Sequence, residues 1–285
     1  MTDVQMTPAI RGSEPDSDSE EVVSAPRRGS RLLGFLKQLA LPAAFGLVVL
    51  VAWEVLVRVD VLDPIIFPAP TSILSRWGEL AQEPFYWEAV RITSVEAALG
   101  FFLGSFTGFA IGALCTIFTS VRQTIYPWVI GFQNTPKIAL APVFATWFGF
   151  GMTSKVVLAA TICFFPLVIS TIVGLDAVDR DNRLIFRSFG ASRTQMFWKL
   201  VVPSALPVIF SAVKHALTLA VIGAVVAEFV SGSQGLGVLV KDFNFRLDIA
   251  AAFAMIASLG LLGLVMYGAV AYADKKIVFW RDTSN

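Results

Sequence analysis

Six apolar runs organise the chain, over residues 39–57, 92–118, 125–148, 156–175, 207–230 and 249–271. Each is long enough to cross about 30 Å of hydrocarbon as a helix, which takes about 20 residues. The pattern predicts an all-α membrane protein with six transmembrane helices. An even number of crossings puts both termini on one side. Alternating the connections across the membrane assigns thirteen Lys and Arg to that side: Arg27, Arg28, Arg31, Lys37, Arg122, Arg180, Arg183, Arg187, Arg193, Lys199, Lys275, Lys276 and Arg281. Six fall on the other: Arg58, Arg76, Arg91, Lys155, Lys241 and Arg246. Positive charge is retained inside, so both termini and the polar segment 176–206 are expected in the cytoplasm of a multi-pass cell-membrane protein.

Two runs depart from a plain apolar helix. The second carries Gly100, Gly104, Gly108 and Gly112 at an unbroken four-residue spacing, which bares one helix face to a close neighbour. Packing within the subunit is favoured for that face over a contact between subunits. The third holds Pro127, Pro136 and Pro142 and a charge at Lys137. Broken helices at membrane depth persist only where protein buries them or where they line a wet cavity, so this run is a candidate wall of a translocation path. Between the first two runs, Pro68-Ala69-Pro70 precedes Thr71, a helix-capping residue type. Ile73, Leu74, Trp77 and Leu80 then follow at helical spacing. A short amphipathic helix at the outer surface is expected there, with Trp77 and Trp87 at the interface.

The segment 176–206 reads DAVDRDNRLIFRSFGASRTQMFWKLVVPSAL. Ile185, Phe186 and Phe189 share one face of a helix whose other face carries Arg180, Arg183 and Arg187. Gly190 suits the stop of that helix, where φ turns positive. Ser192 and Gln195 form a Ser-x-x-Gln capping box for a second helix, whose apolar side is Met196, Phe197, Leu200 and Val201. Pro203 and Pro207 mark the exit toward the membrane. The expected product is a cytoplasmic helix-turn-helix with an apolar knob around Phe186 and Phe189. Two readings stand: a docking element for a soluble partner, or a basic loop on anionic headgroups.

Composition narrows the class further. Of 285 residues, 56% are hydrophobic and only 15% charged, and the mean hydropathy is +0.72, which excludes a soluble domain. A net charge of +1 gives no reason to expect nucleic acid. Cys115 and Cys163 both lie in apolar runs and read as reduced packing residues. The first residues place Glu14, Asp16, Asp18, Glu20 and Glu21 among Ser, Thr and Pro, too little apolar surface to fold alone, and they lack the layout of a signal peptide. The boundaries expected are a disordered cytoplasmic tail over 1–32, a six-span domain over 33–274 and a cytoplasmic tail over 275–285.

On these residues the chain resembles the permease subunits of binding-protein-dependent ABC importers. Gly190, Leu200 and Val202-Pro203 match the glycine, isoleucine and Leu-Pro of their cytoplasmic EAA motif. Gly190-Ala191-Ser192-Arg193 and Pro203-Ser204-Ala205-Leu206-Pro207 resemble the nitrate, sulfonate and taurine group. Trp53-Glu54, Pro68-Ala69-Pro70, residues 136–142 (PKIALAP), Trp147-Phe148-Gly149, Thr153-Ser154-Lys155, Phe165-Pro166, Ala227-Glu228 and Gly235-Leu236-Gly237 carry the likeness along the chain from about residue 48. It implies a type I importer permease fold with Leu184, Ile185, Phe186, Arg187, Phe189, Gly190, Ala191 and Ser192 as the coupling contact. It also implies a cytoplasmic ABC ATPase dimer, an extracytoplasmic solute-binding protein and a second permease copy as partners. Two departures stand out: Leu184, Ile185 and Phe186 occupy the EAA positions, so docking is expected to be apolar, and Glu96 stands where many members of the group have Arg.

Charges inside a span are functional candidates by default. Lys137 after Pro136 either draws an anionic solute into the path, or is a buried counter-ion or a side chain snorkelling to an interface. Glu228 precedes a Ser-Gly-Ser-Gln-Gly-Leu-Gly turn, and either helps hold an outer gate or pairs with Lys241 or Arg246. Glu54 is expected to face the interface and Lys214 to reach the cytoplasmic headgroups. No phosphate-cradling Gly-x-x-x-x-Gly-Lys-[Ser/Thr] loop is present, so the chain is not expected to hydrolyse ATP itself or to hold a cofactor. The expected function is the translocation path for a small solute, a sulfonate, taurine or nitrate anion or a vitamin precursor. The rival is an ion-coupled transporter or channel acting without an ATPase. A membrane enzyme finds no metal cluster or nucleophile constellation.

Overall fold

The structure is a computed structural model that describes residues 28–279, with side chains from residue 40 onward. The acidic residues of the expected N-terminal tail and the last six residues lie outside the described part. Helices account for the order α1 (Arg28–Arg58), α2 (Pro70–Leu80), α3 (Pro84–Ile117), α4 (Thr119–Gln133), a 3₁₀ turn (Lys137–Leu140), α5 (Ala141–Phe148) and α6 (Met152–Asp176). There follow α7 (Arg180–Ser188), α8 (Arg193–Met196), a π turn (Phe197–Val201), α9 (Val202–Ser231), α10 (Leu236–Phe245) and α11 (Ile249–Ile277). Among the described residues there is no strand. The described residues divide into two units, one ending at Ala52, which is most of α1, and one beginning at Trp53.

Five helical stretches of the described residues are long and apolar enough to cross a membrane: Ala40–Arg58, Pro84–Ile117, Met152–Asp176, Arg193–Ser231 and Ile249–Ile277. The remaining run, 125–148, is divided among α4, the 3₁₀ turn and α5, as its prolines predict. Pro136 has no N–H to donate and disfavours helical backbone at Thr135, so α4 stops at Gln133. Pro142 sits in the first turn of α5, where its missing donor costs nothing, and Gly149, at φ +82°, ends that helix.

The glycine stripe fixes how the bundle is put together. A methyl group built on Gly104 would stand 2.5 Å from the Ala160 carbonyl oxygen, and one on Gly112 would stand 2.6 Å from Thr171 Cβ. One on Gly100 would overlap Ala159 Cβ. The stripe therefore lets α3 lie against α6 inside the subunit, backbone to backbone. Its partners advance in step with it, so α3 and α6 run parallel. The chain between parallel helices has to return across the same thickness, which is the work of α4, the 3₁₀ turn and α5. α9 runs antiparallel to α6, with Gly223 opposite Ala159 and Gly174 opposite Val208. Ala97, Ala159, Val221 and Ala224 fill the centre where α3, α6 and α9 meet.

At the end of the bundle away from α7, α2 and α10 lie over α3 and α11 around Leu80, Tyr86, Leu236, Phe243 and Met255. Arg76 of α2 donates to Asp248 Oδ2 at 3.0 and 2.7 Å, and Asp248 also caps α11 by accepting from the Ala251 amide. Those bonds, with help from Glu79, raise the Arg76 guanidinium above its ordinary range. Trp77 Nε1 donates to the Tyr86 hydroxyl, which in turn bonds Ser258 Oγ. Two expectations are corrected here. Thr71 does not cap α2, whose N-cap is Ala69 without a side-chain bond. Glu54 does not simply face the interface: it accepts from the Thr71 amide at 3.1 Å and hydroxyl at 2.8 Å, and so caps α2 from a distance.

Candidate functional site

Two places concentrate polar chemistry, one at each end of the α6–α9 pair. The first is the segment between those helices. Asp179 caps α7 by accepting from the Asp181 amide, and Arg183 turns back to donate to the Leu175 carbonyl at the end of α6. Gly190, at φ +73°, closes α7: the Ala191 amide donates to Phe186 O at 3.1 Å and the Gly190 amide to Arg187 O at 2.9 Å. This pair of bonds around a left-handed residue is the Schellman stop, the termination expected of that glycine. Both halves of the capping box are present, Ser192 N to Gln195 Oε1 at 2.9 Å and Gln195 N to Ser192 Oγ at 3.2 Å. Val201 is buried against Leu175, Val178, Ala205 and Ile209, with Phe197 and Leu200 packed on the same cluster, which roots the segment in the bundle; Met196 is buried as well.

Exposure sorts the expected contact residues. Phe189 is 84% exposed, and Leu184 and Ile185 are about half exposed at 52% and 51%. Phe186 is half-buried, so the most exposed apolar side chains of the knob are Leu184, Ile185 and Phe189. Arg187 and Ser192 are exposed and Ala191 is half-buried. The exit at Pro203 and Pro207 is also corrected. Helix continues without interruption from Arg193 to Ser231, and a π turn at Phe197–Val201 precedes Pro203. Pro203 cannot donate to the carbonyl one turn back, and a wider i to i+5 turn accommodates its ring without stopping the helix.

The second place is a buried cluster at the opposite end. Lys155 Nζ of α6 lies 2.7 Å from Glu96 Oε1 of α3, with side chains 4% and 1% exposed. The same ammonium donates to the Gln234 carbonyl at 3.0 Å. Glu228 of α9 is fully buried; its Oε1 accepts from Thr93 Oγ1 and its Oε2 from the Gly237 amide, each at 2.6 Å. Thr93 Oγ1 accepts in turn from the Leu236 amide at 2.8 Å. Glu96 and Glu228 face each other, so two carboxyls gather around one ammonium. Side chains of α3 and α9 thus satisfy the first two amides of α10, donors that an unsupported helix start would leave unpaired in an apolar setting, while Lys155 of α6 holds the Gln234 carbonyl just before it.

The turn is shaped to admit this. Gly235 adopts φ +124°, and a Cβ there would collide with the Glu228 carboxylate. Glu228 accordingly does not pair with Lys241 or Arg246. Nor is Lys155 an outer-loop charge, as the side-by-side count of basic residues assumed. Thr93 escaped the sequence reading, Lys155 entered it only as an outer-side charge and within a family likeness, and Glu96 entered it only as a departure from a motif. A carboxylate lodged four residues before the glycine stripe was the available signal, because such a charge inside a span requires a buried partner.

Lys137 lies at another level of the bundle. It donates to the Gln133 carbonyl at 2.7 Å, satisfying an acceptor left open at the end of α4, and its Nζ stands 5.1 Å from the Phe165 ring centre. Phe165 is ten residues along α6 from Lys155, or about 15 Å. Pro136 sets the break that brings Lys137 there, and the structure does not join either residue to Glu228. Lys214, expected at the headgroups, instead forms an ion pair with Asp274 of α11 at 2.7 Å. His215 is exposed on α9. Among the described residues no group of His, Cys, Asp and Glu is arranged to hold a metal ion, and both cysteines are free and buried.

The family described as binding-protein-dependent transport system inner membrane component matches residues 100–279. The chain is 32% identical over 240 residues to the formylaminopyrimidine transport permease protein of Halalkalibacterium halodurans, covering 84% of this chain and 95% of that one. It is 30% identical over 272 residues to a protein described as an aliphatic sulfonates transport permease in Bacillus subtilis, covering 95% and 96%. Its fold is similar to a chain of the MetNI methionine ABC transporter in an inward-facing conformation, with a TM-score of 0.57 and 21% identity over 69% of this chain and 97% of that one.

Proposed function

The chain belongs to the family of binding-protein-dependent transport system inner membrane components, multi-pass permeases of ABC importers for small solutes, and on that premise we propose that two copies form one translocation path driven by a cytoplasmic ATPase dimer. The observation that carries this reading is the stopped and capped α7–α8 segment with Leu184, Ile185 and Phe189 exposed at its edge. An apolar anchor rimmed by arginines fits a groove on a soluble partner, and both of its ends are tied to spanning helices. Both termini and this segment face the cytoplasm. An extracytoplasmic binding protein delivers solute at the end bearing α2 and α10.

The solute is a small polar molecule of the kind named for the relatives, an aliphatic sulfonate or a heterocyclic vitamin precursor. Lys137 faces the path from the broken third crossing, where an ammonium held against an aromatic face meets a sulfonate or a ring oxygen. Alternating access follows from closure of the ATPase dimer, transmitted through α7 and α8 to α6 and α9.

The test is to purify the complex with Leu184, Ile185 and Phe189 intact or changed together to Ser, and to measure ATPase co-purification and hydrolysis stimulated by the loaded binding protein. The triple variant is expected to lose both. Undiminished stimulation, or uptake of labelled sulfonate by the permease alone in vesicles, would remove the ATPase from the mechanism.

A further inference from the structure

The helices that bracket the coupling segment carry the buried charge cluster at their far ends. α6 passes from Lys155 to Asp176, where the segment begins, and α9 passes from the end of the segment to Glu228. At about 1.5 Å per residue the α6 portion spans about 32 Å, most of a bilayer's apolar thickness. Close packing makes the pair stiff along that length: a Cβ on Gly223 would stand 2.8 Å from Ala159 Cα, and one on Gly174 would stand 3.3 Å from Val208 Cβ.

The turn at the far end is gripped by three helices at once. Lys155 of α6 holds the Gln234 carbonyl, Thr93 of α3 holds the Leu236 amide, and Glu228 of α9 holds the Gly237 amide. These bonds span 2.6 to 3.0 Å, and a hydrogen bond is lost beyond about 3.5 Å. A relative displacement of α6 and α9 of about 1 Å therefore breaks the grip instead of stretching it. Packed elements with this property switch between discrete arrangements.

We propose that Thr93, Glu96, Lys155 and Glu228 form the joint that couples movement of the α6–α9 pair to the turn 232–237 and the start of α10, making that turn an outer gate. Lys155 and Glu228 are its positioning residues, set at the opposite end of the same two helices from the coupling segment. Glu96 holds the Lys155 ammonium in place from α3. The source of the movement rests on the ATPase reading above; the existence of the clasp does not.

Leu236 is wholly buried and Ser233 is exposed, so the pair reports the state of the turn. In a chain with Cys115 and Cys163 changed to Ala, Leu236→Cys and Ser233→Cys are labelled separately with a membrane-impermeant maleimide in right-side-out spheroplasts. With the joint intact, Leu236→Cys is expected to react at least about tenfold more slowly than Ser233→Cys, and Lys155→Met or Glu228→Gln to remove most of that protection, the size of effect a lost buried hydrogen bond gives. Thr93→Val removes one bond while nearly preserving shape, and carries the test if the charge variants do not accumulate. In the complex with its ATPase, labelling of Leu236→Cys is expected to differ between nucleotide-free and vanadate-trapped states, and the difference to vanish in Thr93→Val or Lys155→Met. Protection that survives all three substitutions overturns the clasp. A nucleotide response that persists without the joint overturns the coupling. Failure of the ATPase reading shows separately, as absence of any co-purifying ATPase alongside intact protection.

Discussion

Replacing Gly104 by Val should separate α3 from α6. A Cβ at this position stands 2.5 Å from the Ala160 carbonyl oxygen and 2.5 Å from Cys163 Sγ, where ordinary contact begins at 3.4 Å. The sulfur can turn aside, but the carbonyl is backbone of a helix packed on its other side by α9. Relief requires the helices to part by roughly 1 Å, and the two γ-methyls of Val add to the displacement. Such overpacking costs about 3 kcal/mol, against a gain in helix propensity over Gly of less than about 1 kcal/mol. The same substitution at Gly268, which has nothing within 4 Å, is expected to be neutral or mildly stabilising and serves as the control. Purified protein is heated in detergent while a thiol-reactive dye reads the two buried cysteines, Cys163 lying in the interface itself. Gly104→Val should melt several degrees below wild type, on the order of 5–10 °C for a domain of this size. Equal melting of Gly104→Val, Gly268→Val and wild type would refute the backbone-to-backbone contact.

Lys155→Met leaves Glu96 buried without its ammonium, and should lower stability by about 3–5 kcal/mol, whereas the pair Glu96→Gln with Lys155→Met should recover a large part of it. Thermal unfolding of the two variants checks this, and a single variant as stable as the double would contradict it. Gly190→Val forces a β-branched side chain into the left-handed region at φ +73° and should destabilise the end of α7 by about 1–2 kcal/mol or more. Limited proteolysis within residues 176–206 would report the loosening; an unchanged cleavage rate would show that the Schellman stop is dispensable.

Much of the segment 176–206 could be read before its structure because its determinants are local. Gly190 needs a positive φ wherever the helix goes, and Ser192 and Gln195 lie three residues apart, so their reciprocal bonds require no other part of the chain. Which apolar side chains stay exposed was less legible. Periodicity gave Phe186 and Phe189 equal standing, yet Phe186 is half-buried and Phe189 is 84% exposed, a difference that helical spacing does not set. The continuation of helix through Pro203 was missed for a related reason: a proline's effect depends on whether the preceding turn can widen, and here the π turn at Phe197–Val201 does.

The sequence alone determined the spans, the broken third crossing, the glycine face and the capped segment 176–206, because hydrophobic length, proline's missing donor and capping act within a few residues. Tertiary structure decided which charges meet. Glu96 and Lys155 are 59 positions apart, and Thr93 and Glu228 are 135 apart, and no spacing rule connects residues on separate helices. Their meeting follows from the parallel packing of α3 on α6 and the antiparallel packing of α9, which bring the start of α6 and the end of α9 level with Thr93 and Glu96 inside α3. There, away from water, charge and amide must find partners in one another.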